Sequence, residues 1–276
     1  MSFTYVMSDI HGAYEQYEQM KKKINLQKSD ILYIVGDIFD RGPGTYKILK
    51  DIMENDNIIL LLGNHEFSYV QIYENNNLYK ETKKEKYKQV ANEWMEYISD
   101  PAAGGVVTID FLFHKIRKEQ REKYLDFLAS CDTEKLLNVN GRYFYLTHGS
   151  LSTYDYLRVT ERINMNLLYL LLFNENEKLE SIAAVDLNKV ADFHALKKEM
   201  AAMASEGWNT DVTIITGHTP VKYYLPSQKD MKIITSGNNI NIDCGCTGYN
   251  FDTPDVDGYI KHLACLRLDD LQEFYI

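Results

Sequence analysis

Three short polar strings, each set directly behind an apolar run, constrain this chain more than anything else in it. They are Ser8-Asp9-Ile10-His11-Gly12, Gly36-Asp37-Ile38-Phe39-Asp40-Arg41-Gly42 and Gly63-Asn64-His65-Glu66. The runs before them are Phe3 to Met7, Ile31 to Val35 and Ile58 to Leu62, rich in residues that favour strands. Asp37 follows Asp9 by 28 residues, and Asn64 follows Asp37 by 27. A strand, a crossover helix and a return strand take roughly 30 residues. Consecutive parallel strands therefore bring the three strings to one sheet edge, the carboxyl end at which open α/β sheets hold ligands. Carboxylates, imidazoles, an amide and one arginine meet there, which is the inventory of a metal-assisted phosphate site.

The 276 residues show no repeat and no flexible linker, so residues 1–276 are expected to form one domain. The formal net charge of −10 argues against general binding of nucleic acid or anionic membranes. An acidic enzyme still takes an anionic substrate when metals reverse the local field. The first strand opens at Phe3 and presents a ligand by Asp9, which leaves no room for a cleavable presequence. No apolar run, Leu167 to Leu172 included, approaches the roughly 20 residues that span a bilayer. A cytoplasmic protein is expected. Cys131, Cys244, Cys246 and Cys265 lack zinc-finger spacing and read as reduced, buried thiols, Cys244-Gly245-Cys246 included.

Helices are expected over Ala13 to about Lys23, with Met20 and Ile24 inward, and over Tyr46 to Glu54, with Ile48, Leu49, Ile52 and Met53 at helical spacing. After Glu66 the pattern loosens, and Lys80 to Lys88 reads as a solvated helix face. A helix around Asn92 to Ile98 stops before Asp100-Pro101. A turn at Ala102 to Gly105 precedes helical patterns over Ile109–Ile116 and Glu119–Ala129. Strands Tyr143–Leu146 and Val212–Ile215 end in Thr147-His148-Gly149 and Thr216-Gly217-His218-Thr219-Pro220, with Thr160 to Ser205 mostly helical between them. The tail reads as antiparallel strands over 232–235, 241–244, 259–268 and 273–276. The expected class is α/β with mixed sheets flanked by helices.

A dinuclear centre needs two cations about 3.5–4 Å apart, bridged by a carboxylate and the attacking water. Asp9 and His11 form one pair, Asp37 the bridge, and Asn64, His148 and His218 surround the second ion. Asp9 and His11, two apart on an extended chain, point to the same side. Imidazoles beside oxygen ligands favour manganese, iron or zinc over magnesium. Arg41 offers a planar fork that matches phosphate oxygens. His65 is placed to protonate the leaving oxygen, and Asp40 to orient it. His114, His194 and His262 have no such context. The chain lacks a P-loop signature and a G-x-S-x-G elbow.

These strings resemble the calcineurin-like metallophosphoesterases and, within them, the phosphoprotein phosphatase branch, whose pattern runs G-D-x-H-G, G-D-x-x-D-R-G, G-N-H-E, H-G and G-H. That branch includes serine/threonine phosphatases and bacterial diadenosine tetraphosphate hydrolases. Gly104-Gly105 with Thr108, and Asn241 to Gly245, extend the likeness along the chain. The resemblance implies a four-layer αββα sandwich and direct attack by a metal-bridging hydroxide, without a phosphoenzyme. It also implies a further phosphate-binding arginine, for which Arg158 and Arg162 are candidates. Ser8 stands where the family usually has glycine. Glu66 in place of Asp, and Thr219-Pro220 in place of a second histidine, point away from nucleic-acid diesters. The leading expectation is hydrolysis of phosphomonoesters, from phosphoserine or phosphothreonine proteins or small molecules, with manganese the best metal in vitro. The alternative is a dinucleoside polyphosphate hydrolase, and the remote one an inactive metal-binding scaffold.

Overall fold

In the computed structural model the described residues are 2–101, 103–149, 212–247 and 258–276. The chain opens with β1 (Thr4–Met7), α1 (Tyr14–Lys23), β2 (Ile31–Val35), α2 (Thr45–Glu54) and β3 (Ile58–Leu61). The three strands are parallel and adjacent, with Met7 opposite Ile34 and Val35 opposite Leu61. The expected βα order and its common carboxyl edge are both present.

Next come α3 (Asn64–Thr82), α4 (Glu85–Ser99), α5 (Val106–Ile109), a π-helical turn over Asp110–Lys115 and α6 (Lys118–Ser130). Here the sequence reading falls short. Asn64–Thr82 is a 19-residue helix, and Lys80 to Lys88 is solvated as expected but spans the junction of two helices rather than one helix face. Lys83 makes the break in the left-handed region (φ 57°). Apolar periodicity is weak along α3 because polar side chains such as Glu66, Ser68 and Asn75 are among those it buries.

The strands β4 (Glu134–Val139), β5 (Arg142–Thr147), β6 (Val212–Thr216), β7 (Ile234–Ser236), β8 (Asn239–Asn241), β9 (Ala264–Arg267) and β10 (Gln272–Tyr275) complete the described elements. Two five-stranded mixed sheets result, ordered β10-β9-β1-β2-β3 and β4-β5-β6-β8-β7. The tail is not wholly antiparallel: β8 pairs parallel with β6 and stops at Asn241, short of the expected Cys244. The helical reading of Thr160 to Ser205 lies outside the described residues.

Side-chain alternation on β1–β3 builds two cores. Met7, Leu32, Ile34 and Leu60 face α1, α2, α3 and α6, together with Met20, Ile48, Leu49, Tyr69 and Leu128. Val6, Tyr33, Val35 and Leu61 face the second sheet and meet Phe144, Leu146, Ile215 and Ile240. Burial on both faces is why these strands read as continuous apolar runs.

Candidate metal and phosphate site

The carboxyl ends of both sheets meet at one place. Backbone hydrogen bonds lace the first string to the second: Asp9 N–H to Gly36 O at 3.1 Å, His11 N–H to Asp37 O at 2.8 Å and Gly12 N–H to Ile38 O at 3.0 Å. The second sheet joins through His148 at the end of β5, whose Nδ1 donates to Val35 O at 2.8 Å. Gly217, beyond β6, bonds to His148 O at 3.0 Å.

These loops are bent, not extended. Asp9 (φ 52°), His11 (44°), Asp37 (56°), Asp40 (66°), Arg41 (63°) and His218 (69°) all lie in the left-handed region. The extended chain expected for Asp9 and His11 is therefore wrong; tight left-handed turns aim both side chains instead. Each such residue costs about 1–2 kcal/mol. Strain gathered at one spot, held by the surrounding packing, marks a functional site. Two glycines make room: a Cβ on Gly63 would lie 2.1 Å from Asp37 Oδ1, and one on Gly217 would lie 2.1 Å from Asp9 Oδ2.

The buried oxygen Asp37 Oδ2 is the focus. His148 Nε2 lies 3.2 Å from it, His11 Nε2 3.6 Å and His65 Nε2 3.7 Å. Donor atoms fall into two groups that share Asp37: His11, Asp37 and His65, and Asp37, His148 and His218. Asn64 Oδ1 sits between His148 Nε2 at 3.1 Å and His218 Nδ1 at 2.9 Å. Asp9 accepts the His218 N–H on both oxygens, at 3.1 and 3.0 Å. Thus Asp9, His11, Asp37, Asn64, His148 and His218 come together, with His65 beside His11 at 4.8 Å between ring centres.

The donor chemistry fits divalent ions. A carbonyl only accepts, so His148 Nδ1 on Val35 O and His11 Nδ1 on Phe39 O (2.8 Å) each carry a proton. Each ring is thereby anchored at Nδ1 and turns Nε2 toward Asp37 Oδ2 and, for His148, Asn64 Oδ1; an imidazole so held would, when neutral, offer Nε2 to a metal. Asp9, Asp37, Asp40, Glu66 and Asp243 are five buried acids at or beside the site, with Arg41 as the neighbouring guanidinium. So many buried carboxyl groups beside imidazoles form an oxygen and nitrogen donor set that suits divalent cations.

Charge coupling follows from the same geometry. Burial alone would raise Asp37, but the His148 and His65 imidazoles hold its carboxyl well below the usual range. Burial would lower His148, yet the Asp37 carboxylate pushes it up to about 10. His65 is raised against its burial by Asp37 and Asp40, whereas burial with the Arg41 charge holds His11 well below its ordinary value. Burial and the neighbouring Asp9 raise Asp243 well above a normal carboxyl.

Two residues outside the sequence-derived set matter. Glu66, fully buried at the third position of α3, accepts N–H bonds from Asp37 (2.8 Å), Phe39 (2.8 Å) and Gly63 (3.0 Å). Burial and Asp37 raise its carboxyl to about 7 against the pull of those N–H groups. A glycine followed three residues later by Glu at a helix start carries a capping signal that would have found it. Asp40 gives Oδ2 to His65 Nδ1 at 2.7 Å and Oδ1 to the Tyr69 hydroxyl at 2.8 Å, while its N–H donates to Thr108 Oγ1 at 3.0 Å. Tyr69 was not legible while α3 was read as loose. Arg158 and Arg162 fall outside the described residues. His114 is exposed, and His262 pairs with Asp230 at 2.7 Å, away from these loops. Cys244 and Cys265 are buried thiols as expected, whereas Cys131 and Cys246 are only partly buried; all four are unpaired, and burial raises their pKa.

Two mixed sheets whose strand ends converge on His, Asp and Asn donors form a candidate metal and phosphate site. The family pattern of the calcineurin-like phosphoesterases matches residues 4–248, and the chain belongs to that family. It is 34% identical over 100 residues to the symmetrical bis(5'-nucleosyl)-tetraphosphatase of Buchnera aphidicola, covering 36% of this chain and 33% of that protein. It is 41% identical over 71 residues to the enzyme of the same name from Wigglesworthia glossinidia brevipalpis, covering 25% and 26%. The matched stretch spans about a third or less of these curated relatives. The fold is also similar to a serine/threonine phosphatase from Saccharomyces cerevisiae, with TM-score 0.51 and 11% identity over 100% of this chain and 79% of that one. No described helix is long and apolar enough to cross a membrane.

Proposed function

We propose that this chain cleaves the anhydride linkage of dinucleoside polyphosphates, with two divalent ions held by Asp9, His11, Asp37, Asn64, His148 and His218. The observation that carries the reading is the Asp37 carboxylate shared by two neighbouring donor groups. The names of the tetraphosphatase relatives support the substrate class. This reverses the order of the two expectations drawn from sequence alone. Bound ions supply Lewis acidity, neutralising phosphoryl oxygens and making water nucleophilic at neutral pH. Arg41 grips phosphate oxygens with its fork. His65 donates its Nε2 proton to the leaving oxygen while Nδ1–H stays on Asp40.

One observation favours the second reading, a phosphomonoesterase. A buried imidazole–carboxylate pair such as His65–Asp40 serves a poor leaving group, for example a serine alkoxide, more than a nucleoside diphosphate. A manganese-loaded substrate panel separates the two: diadenosine tetraphosphate, a phosphoserine peptide, p-nitrophenyl phosphate and a bis-aryl diester. The proposal expects the highest kcat/KM on diadenosine tetraphosphate. A tenfold preference for the phosphopeptide would replace it with the second reading, and no turnover of any substrate would leave the scaffold alternative.

A further inference from the structure

We infer that Tyr69 is a positioning residue for proton donation, acting on His65 through Asp40; this rests on His65 being the acid of the proposed function. His65 and Tyr69 are four residues apart on α3, so they stack on one face of the helix a turn apart. Asp40 sits between them. One carboxylate oxygen takes His65 Nδ1 at 2.7 Å and the other takes the Tyr69 hydroxyl at 2.8 Å. A single helix thus grips both ends of one carboxylate.

Asp40 needs such a grip. It is fully buried and left-handed (φ 66°), so its carboxylate has no bulk solvent to lean on. Tyr69 is itself held: its ring meets Phe39 edge-on at 5.3 Å, and its hydroxyl has a weaker second contact to Gly105 O at 3.3 Å. Phenylalanine would fill the same space, so packing alone does not require the oxygen. With the hydroxyl gone, the carboxylate is free to turn about its Cβ–Cγ bond, and the imidazole that leans on it loses its aim. During reaction a hydroxide oxygen bonds to phosphorus while the bond from phosphorus to the leaving oxygen breaks, its electron pair going to the leaving oxygen. That oxygen takes the Nε2 proton of His65, while the Nδ1 and Tyr69 protons stay where they are.

The test uses the full-length, manganese-loaded protein and two aryl phosphates. Phenol is a poor leaving group, about as acidic as tyrosine with a pKa of about 10, and p-nitrophenol is a far better one. Tyr69→Phe should lower kcat on phenyl phosphate by about tenfold, the worth of one hydrogen bond to a charged group. On p-nitrophenyl phosphate the loss should be smaller, with KM and metal content unchanged; a modest fall in melting temperature is expected from the lost buried hydrogen bond and does not differ between substrates. In a His65→Asn background the same change should cost nothing more, because both residues act as one unit. Equal losses on the two substrates, no loss on either, or an added loss in the double variant would each overturn the role of Tyr69. If His65→Asn itself shows no preference between the substrates, the acid assignment fails instead, and the two failures are thereby told apart.

Discussion

Replacing Glu66 by glutamine tests whether one buried carboxylate laces the site loops together. Its Oε2 accepts from Asp37 N–H at 2.8 Å and Gly63 N–H at 3.0 Å, and Oε1 accepts from Phe39 N–H at 2.8 Å. Glutamine has one acceptor oxygen. With that oxygen in the Oε2 place, two weaker neutral bonds survive, and the amide NH₂ faces the Phe39 N–H. One charged hydrogen bond is lost and one buried donor is left unmet, about 2–4 kcal/mol together. Removing the charge relieves repulsion from Asp37, which places the net near the lower figure. For a body of this size each kcal/mol moves Tm by about 2–4 °C, so calorimetry should show a drop of roughly 4–8 °C. Because the lost bonds fix the backbone of Asp37 and the turn before Asn64, manganese affinity by titration calorimetry should fall about 10–100-fold, the usual effect of disturbing groups behind a metal. Glu66→Asp, a methylene shorter, should also fail to span all three donors. A Glu66→Gln variant with unchanged Tm and unchanged manganese affinity would refute the reasoning.

Dialysis against a chelator should abolish activity, and full recovery should coincide with two manganese ions per chain by elemental analysis; full activity with one would refute the dinuclear site. Arg41→Ala should lower kcat/KM by about 10–100-fold, the worth of a bidentate charged contact, with both metals retained. Arg41→Lys should recover little of that, since a point charge lacks the fork, and undiminished efficiency in either variant would make Arg41 structural. Glu134, beside the Tyr145 hydroxyl, is raised from 4.5 to about 8 by burial and by Asp132. The folded chain therefore holds this proton more tightly than the unfolded one, so the contribution is full below pH 4.5 and lost as pH rises through about 8. Glu134→Gln should flatten Tm against pH across that window, and an unchanged slope would show that the carboxyl is not perturbed.

The local code of the site was readable before any coordinates. The β-branched runs, the 28- and 27-residue spacings and the donors behind each run placed Asp9, His11, Asp37 and Asn64 on one sheet edge, because strand periodicity and crossover length are short-range properties. The histidines at the ends of β5 and β6 could be nominated the same way, but their meeting with Asp37 is a tertiary fact. It depends on the packing of two sheets, and on His148 Nδ1 reaching Val35 O across them. The left-handed turns at Asp9 and His11 were invisible too, since these residues adopt that conformation only when surrounding contacts force it. Likewise α3 hid behind polar residues that are buried only because the site loops give them partners. Sequence alone nominated the candidate donors and their order. Tertiary structure decided their distances, their proton carriers and the groups behind them, because a buried hydrogen bond exists only where the fold brings donor and acceptor together and excludes water.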